Sequence, residues 1–377
     1  MAENKNCMSS IFFLSLMNGS AWGGSEEFWY RTALWMSRNK YKVGIGCFDW
    51  EEKKERIQLL KEAGCSIYLL PNKKGLFNKR LIKKALNSIP FNEYQLTLIN
   101  QGGWEDVLHT PFKNLYKKLN NYVINNHNYN ESALLTLKKQ QLLQQWISHA
   151  RMNFGDTQKI FDAIEKNFNI NIEKKQTLIN PIASQPDNEP YPYRAFTDGN
   201  CIWVMFAELD IARKSQDILI KALSSSKWKA RDWQLHLYGK GKDKAMLEKL
   251  IADCKLENKI LFKGYTNNIK KSLQDYHLLL QCTRIDAMPI TVVEAMAMAR
   301  PCVVSQVGDM PVWVEDGVNG FVCNEVSVHG IDEALENSWQ QKENWAAMGK
   351  NAFDTFIKKY PQPYEEKIAE ILNSYIP

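Results

Sequence analysis

Two stretches of the chain carry residue types suited to an anionic, hydroxyl-rich ligand. The first is Asn18-Gly19-Ser20-Ala21-Trp22-Gly23-Gly24-Ser25-Glu26-Glu27. Its glycines let the backbone come close to a ligand, and a helix starting there offers unpaired N–H groups to a phosphate. It is neither a G-x-G-x-x-G nor a Walker loop, so a plain tight turn explains it as well. The second is Arg284-Ile285-Asp286-Ala287-Met288-Pro289-Ile290-Thr291-Val292-Val293-Glu294-Ala295-Met296. Pro289 suits the first turn of a helix. Asp286 then lies in the loop ahead of that helix and Glu294 lies well inside it. Both carboxylates reach a ligand cleft, and the positive helix end faces a diphosphate. A helix cap plus a solvated glutamate is the competing reading of this spacing.

Metal chemistry has little to stand on. The chain contains no Asp-x-Asp, the paired carboxylates that usually bridge a diphosphate through a divalent ion. The cysteines are Cys7, Cys47, Cys65, Cys201, Cys254, Cys282, Cys302 and Cys323, and none forms a C-x-x-C pair. Several sit in apolar runs, which suits core thiols in a reducing compartment. We therefore expect no metal site.

The elements that must position these residues follow a strand–turn–helix rhythm. Ile11–Met17, Val43–Phe48, Ile67–Leu70, Leu96–Asn100 and Tyr122–Asn125 read as short, nearly continuous apolar strands. Helices are expected from Ser25, as N-cap, to Arg38 and from Glu51 to Ala63. Near residues 180 to 200, Pro181, Pro186, Pro190 and Pro192 precede Asp198-Gly199-Asn200, which reads as a linker. Strands resume at Cys201–Phe206, Gln234–Tyr238, Lys259–Phe262, His277–Gln281 and Cys302–Ser305, with helices at Ala245–Cys254 and Thr291–Ala299. Apolar strands alternating with helices imply parallel sheets covered on both faces. The expectation is an α/β protein with two doubly wound, Rossmann-like domains facing a cleft. Residues 1–185 plus 362–377 form the first and 195–361 the second.

With 377 residues, 45% of them apolar, the chain has material for two cores. No apolar run approaches the length of a membrane span. The net charge of +6 is concentrated in the first half, in pairs such as Lys53-Lys54, Lys73-Lys74, Lys79-Arg80, Lys83-Lys84 and Lys117-Lys118. Solvated helix faces explain such pairs, and so does attraction to an anionic membrane or an anionic acceptor. No aromatic–basic interleaving points to nucleic acid.

The segment from Asp286 to Glu294 resembles the E-x7-E motif of glycosyltransferase family 4, the GT-B, group 1 glycosyltransferases. Its surroundings resemble that family too, in the same order over the second half. They are Gly239-Lys240-Gly241, Ile260-Leu261-Phe262-Lys263-Gly264-Tyr265, Arg300-Pro301-Cys302-Val303-Val304-Ser305, Val307-Gly308-Asp309 and Glu315-Asp316-Gly317-Val318-Asn319-Gly320. Trp22-Gly23-Gly24-Ser25-Glu26 resembles the G-G-S-E opening of one branch. The resemblance implies a glycosyltransferase of cytoplasmic polysaccharide biosynthesis, retaining and metal-independent, with a nucleotide-diphosphate sugar as co-substrate and no other cofactor. It implies that Glu294 binds the donor ribose, that Asp286 meets the transferred sugar and that Lys214 neutralises the diphosphate. Gly23 and Gly24 would close over the donor from the first domain. His127 would stand near the reacting centre, with His109 as its rival. Glu208, Arg213, Gly239, Gly241, Tyr265, Arg284, Ala287, Met288, Pro289 and Ile290 complete the implied donor site. Partners would be the donor, a sugar acceptor and, through the basic first domain, the periphery of an anionic membrane.

The chain departs from the family at three positions. Asp286 replaces the first Glu, Ala287 the usual Gly, and Glu208 an arginine expected beside the diphosphate. A carboxylate at 208 adds repulsion to an anionic ligand. The alternative reading is a non-catalytic nucleotide-sugar binding protein of the same fold.

Overall fold

The computed structural model describes residues 9–19, 21–72, 76–127, 135–183, 188–196 and 200–377. Cys7, Ser20, the pair Lys73-Lys74, Pro186, Asp198 and Gly199 therefore lie outside the described residues. The chain divides into two compact units. One is Met1–Pro181 with Pro361–Pro377, and the other is Ile182–Tyr360.

The first unit is built on seven parallel strands: β1 Ser10–Ser15, β2 Lys42–Phe48, β3 Ser66–Leu70, β4 Leu96–Gln101, β5 Tyr122–Asn126, β6 Asn153–Gly155 and β7 Lys175–Thr177. Their order across the sheet is β3-β2-β1-β4-β5-β6-β7. Every residue of β1, SIFFLS, is buried, as a central strand covered on both faces requires. Helices α1 Gly24–Arg38, α2 Lys54–Glu62, α3 Leu76–Asn87, α4 Leu137–His149 and α5 Gln158–Phe168 cover the sheet.

The second unit has six parallel strands: β8 Cys201–Phe206, β9 Trp233–Tyr238, β10 Ile260–Gly264, β11 Leu278–Gln281, β12 Cys302–Ser305 and β13 Gly320–Cys323, in the order β10-β9-β8-β11-β12-β13. Its helices are α6 Ile211–Lys214, α7 Gln216–Leu223, α8 Ser226–Lys229, α9 Lys244–Asp253, α10 Ile269–Leu273, α11 Ile290–Ala297, α12 Met310–Trp313, α13 Val328–Gln340 and α14 Trp345–Lys359. The last helix, α15 Tyr364–Asn373, belongs to the first unit. There Ile368 and Leu372 are buried and Glu365 pairs with Arg31 of α1. Tyr364 donates to the carbonyl of Ile179, and Asn121 donates to that of Tyr375.

Both sheets reverse strand order once, between β1 and β4 and between β8 and β11. In open α/β sheets ligands bind beyond the carboxyl ends of the strands at such a reversal. The Gly-rich run follows β1, and Glu208 and Asp286 follow β8 and β11.

Three sequence expectations are corrected. Ser25 is not the N-cap of α1. Gly23 is, in an extended conformation, because Ser25 points its hydroxyl at the Met17 sulfur, 3.1 Å away. Pro289 caps α11 rather than opening its first turn. The 180–200 stretch is not all free linker. The guanidinium of Arg300, fully buried, donates to the carbonyls of Tyr276, Met298 and Pro192 and lies 5.6 Å and 5.3 Å from the ring centres of Tyr191 and Tyr193. That bonding fastens the segment around residue 192 to the second unit.

Candidate functional site

In the second unit, the loop after β8 carries Glu208 and leads into the short helix α6, which ends at Arg213 and Lys214. The loop after β11 runs from Thr283 to Pro289. Backbone N–H groups of Arg284 and Ile285 both donate to the carbonyl of Arg213, clasping the two loops together. This clasp brings the Lys214 ammonium onto the Asp286 carboxylate, and both side chains are largely buried. Arg284 donates to the carbonyl of Ile211 and lies 3.9 Å from Asp217. Arg213 lies 3.5 Å from Glu208, with both side chains about half exposed. The expected repulsion at Glu208 is therefore partly met by a local cation.

Two glycines make this layout sterically allowed. A Cβ on Gly239, at φ +144°, would sit 1.9 Å from the carbonyl oxygen of Ala207. One on Gly308, at φ +56°, would sit 1.8 Å from that of Ala287. Only glycine fits these approaches. Gly241 also packs closely on Leu209, where a Cβ would sit 2.3 Å from the carbonyl oxygen. Gly239 and Gly241 thus serve first to hold the Glu208 loop. Tyr265, just past β10, is exposed, with the Lys240 ammonium 5.6 Å from its ring centre.

Glu294 lies within α11 and is 6% exposed. Its Oε1 accepts the N–H of Ala183 at 2.8 Å. Its Oε2 is buried without a protein partner. Burial pushes its carboxyl up to about 7, against a smaller lowering by the Ala183 hydrogen bond. This corrects the picture of a solvated glutamate, and it leaves one oxygen needing a donor. Met288 and Pro289 are buried beside it in the chain, while Ala287 and Ile290 are half-buried.

In the first unit, Gly23 and Gly24 begin α1, and no side chain caps that end. His127 follows β5 and is buried. Its Nδ1 lies 2.8 Å from Oδ1 of Asp156, and its Nε2 lies 2.7 Å from Oδ1 of Asn100 and 3.0 Å from Nδ2 of Asn125. Asn100 in turn donates to the carbonyl of Ser25, and Asn180 donates to Asp156. Asn180 also lines the space beside Gly24. Histidine, carboxylate and amides thus form one close-packed polar cluster at the carboxyl edge of the sheet. His109, the rival, is exposed and lines a different cavity.

Beneath that edge lies a buried ion pair. Lys53 meets Glu26 at 2.8 Å, and both are almost wholly inaccessible. Ser15 and the Trp29 indole also donate to Glu26. Lys53 is therefore not part of a solvated basic face. Losing either partner would strand a buried charge at a cost of about 3–5 kcal/mol. The sequence signal for Asn100 and Asn125 was amide residues ending apolar strands. Asp156, Asn180 and Ala183 had none.

Residues 198–355 match the family described as "Glycosyl transferases group 1". The second unit is a group 1 glycosyltransferase domain. Lys214, Asp286 and Glu294 all fall inside the matched range. Over 169 residues the chain is 28% identical to the poly(ribitol-phosphate) alpha-N-acetylglucosaminyltransferase of Staphylococcus aureus, covering 44% of this chain and 34% of that protein. Over 159 residues it is 26% identical to the poly(glycerol-phosphate) alpha-glucosyltransferase of Bacillus subtilis, covering 42% of this chain and 24% of that one. The matches thus span about a third or less of these curated relatives. Anabaena Alr3699/HepE, solved in complex with UDP, superposes with a TM-score of 0.73 at 18% identity, over 97% of this chain and 100% of that one. That likeness shows the GT-B fold. Among the described residues, no helix is long and apolar enough to cross a membrane.

Proposed function

We propose that this chain is a glycosyltransferase. It moves a sugar from a nucleotide-diphosphate donor to a glycan, lipid-linked or polyol-phosphate acceptor, with retention and without a metal or other cofactor. The carrying observation is the Lys214–Asp286 pair at the strand reversal of the group 1 glycosyltransferase domain. In the reaction, the anomeric carbon loses its bond to the diphosphate oxygen, which keeps the electron pair. The acceptor hydroxyl oxygen bonds to that carbon, and its proton goes to the departing diphosphate. Lys214, Arg213 and Arg284 would stabilise the charge that develops on the leaving group. Oε2 of Glu294 would accept from a ribose hydroxyl.

The chain is incubated with a panel of nucleotide sugars, uridine donors first because HepE was solved with UDP. Mass spectrometry follows nucleotide release and sugar addition, with and without EDTA. Release from one donor, unchanged by EDTA, is the expected result. Loss of turnover in EDTA and its recovery with a divalent ion would refute the metal-free part. A second reading, nucleotide-sugar binding without transfer, is favoured by Glu208 in place of a cation. Binding without release selects it.

A further inference from the structure

The first unit carries a trench that the donor chemistry does not use. One part is a cavity of about 610 Å³ at the carboxyl edge of β1 and β2, lined by Asn18, Phe48, Trp50, Asn78, His109 and Phe112 among others. Two of its polar atoms, the donor Nε1 of Trp50 and the acceptor Oδ1 of Asn78, are buried without a protein partner. One unpaired donor and one unpaired acceptor beside aromatic rings suit a hydroxylated carbon chain.

The other part is a groove of about 290 Å³ that shares Lys79 and Pro111 with the cavity. It is lined by Lys79, Arg80, Lys83, Lys113 and Lys118. All five are exposed, and none forms an ion pair among the described residues. No carboxylate is among the lining residues described. Lys79 and Lys83 stand one turn apart on α3, a like-charge spacing that weakens a helix. Lys118, in the segment after β4, donates to Asn87 at 2.7 Å and ties that segment to the end of α3. Folding stability gives no reason to gather five cations here, but a polyanion does.

We propose that this trench seats the acceptor, and that the acceptor is a phosphodiester-linked polyol chain. The polyol lies in the aromatic and amide cavity, and the next phosphates lie along the basic groove. This rests on the glycosyltransferase reading, which it narrows to an acceptor class. A flat anionic membrane is the weaker fit, because the cations line a concavity rather than a face.

The test is equilibrium binding of a synthetic oligo(glycerol phosphate) to the full chain without donor, so it needs no turnover. A neutral glucan oligomer and phosphatidylglycerol–phosphatidylcholine vesicles are titrated in parallel. The oligomer should bind, more weakly as salt rises. Lys83→Gln/Lys113→Gln should weaken it about tenfold, the strength of two exposed ion pairs, and Lys83→Arg/Lys113→Arg should restore it. Trp50→Phe, which removes the indole donor and trims the ring, should weaken it further. Equal oligomer affinity in wild type and the Gln double variant overturns the proposal. So does vesicle binding that the double variant loses while oligomer affinity holds. Oligomer binding without sugar transfer would leave the trench standing and remove the transferase reading. Transfer to the neutral glucan without oligomer binding would do the reverse.

Discussion

The N–H of Ala183 donates to Oε1 of Glu294 at 2.8 Å, while the second oxygen of the same carboxylate is buried without a protein partner. A buried carboxylate with half its acceptors unmet is costly, and burial raises its protonation midpoint from 4.5 to about 7.

This gives a signed pH dependence. Between 4.5 and about 7 the folded chain holds a proton on Glu294 that the unfolded chain has lost. Stability therefore falls as pH rises through that window, by on the order of 3 kcal/mol. Glu294→Gln keeps the shape and removes the titration. Its Tm should fall less than that of the wild type between about pH 5 and pH 8. The same variant should bind nucleotide about 1–3 kcal/mol more weakly, through loss of the ribose contact. Unchanged affinity by calorimetry in a folded variant would sink the ribose role.

Lys214 and Asp286 are held together by two loops that the Arg213 carbonyl clasps. Lys214→Gln should lower kcat/KM about 100-fold or more, the usual loss when one charge-stabilising group goes. Lys221→Gln, which removes an exposed partner of Asp217, should leave kcat/KM near wild type. Equal effects of the two substitutions would show a general charge effect instead.

Glu208 pairs with Arg213 at 3.5 Å, in the open. Glu208→Gln should free the guanidinium and tighten nucleotide-diphosphate binding by less than about 1 kcal/mol at low salt, with the gain gone at high salt. Glu208→Arg should gain less, because it sets two like charges side by side. If Glu208→Gln binds more weakly than wild type, Glu208 orients Arg213 as a working part of the site.

In the first unit, Asp156 fixes the Nδ1 side of His127 and Asn100 fixes the other. Asp156→Asn replaces a pure acceptor with a group that can also donate, so the ring loses its defined tautomer. We expect kcat to fall about 10- to 100-fold with the donor KM little changed, the scale of a misplaced group near the reacting centre. Steady-state kinetics on a variant of normal Tm decides this. A change confined to KM would make the cluster a binding device.

Much of this was legible in the chain itself. Short, nearly continuous apolar strands such as SIFFLS and CVVS announced central parallel strands, because a strand covered on both faces has no polar side to show. The order of short motifs from Gly239 to Gly320 announced the group 1 glycosyltransferase match through resemblance, and the glycines among them sit at backbone contacts that tolerate no substitute. Gly308 is the clearest case, since a Cβ there would collide with the Ala287 carbonyl.

The partners were not legible. Asp156 under His127, Ala183 on Glu294 and Lys53 inside the first core are joined across 29, 111 and 27 positions of chain respectively. Propensity and periodicity act over a few residues, whereas a hydrogen bond to a buried carboxylate depends on where two distant segments come to rest. The same holds for the five cations of the groove. Their charge is written in the sequence, but whether they are solvated or gathered around a hollow is decided by how α3 packs beside the turn after β4. Residue types and short motifs determined the fold class and the chemistry on offer. The packing of loops at the two strand reversals determined which groups meet, because burial and pairing are properties of space rather than of order along the chain.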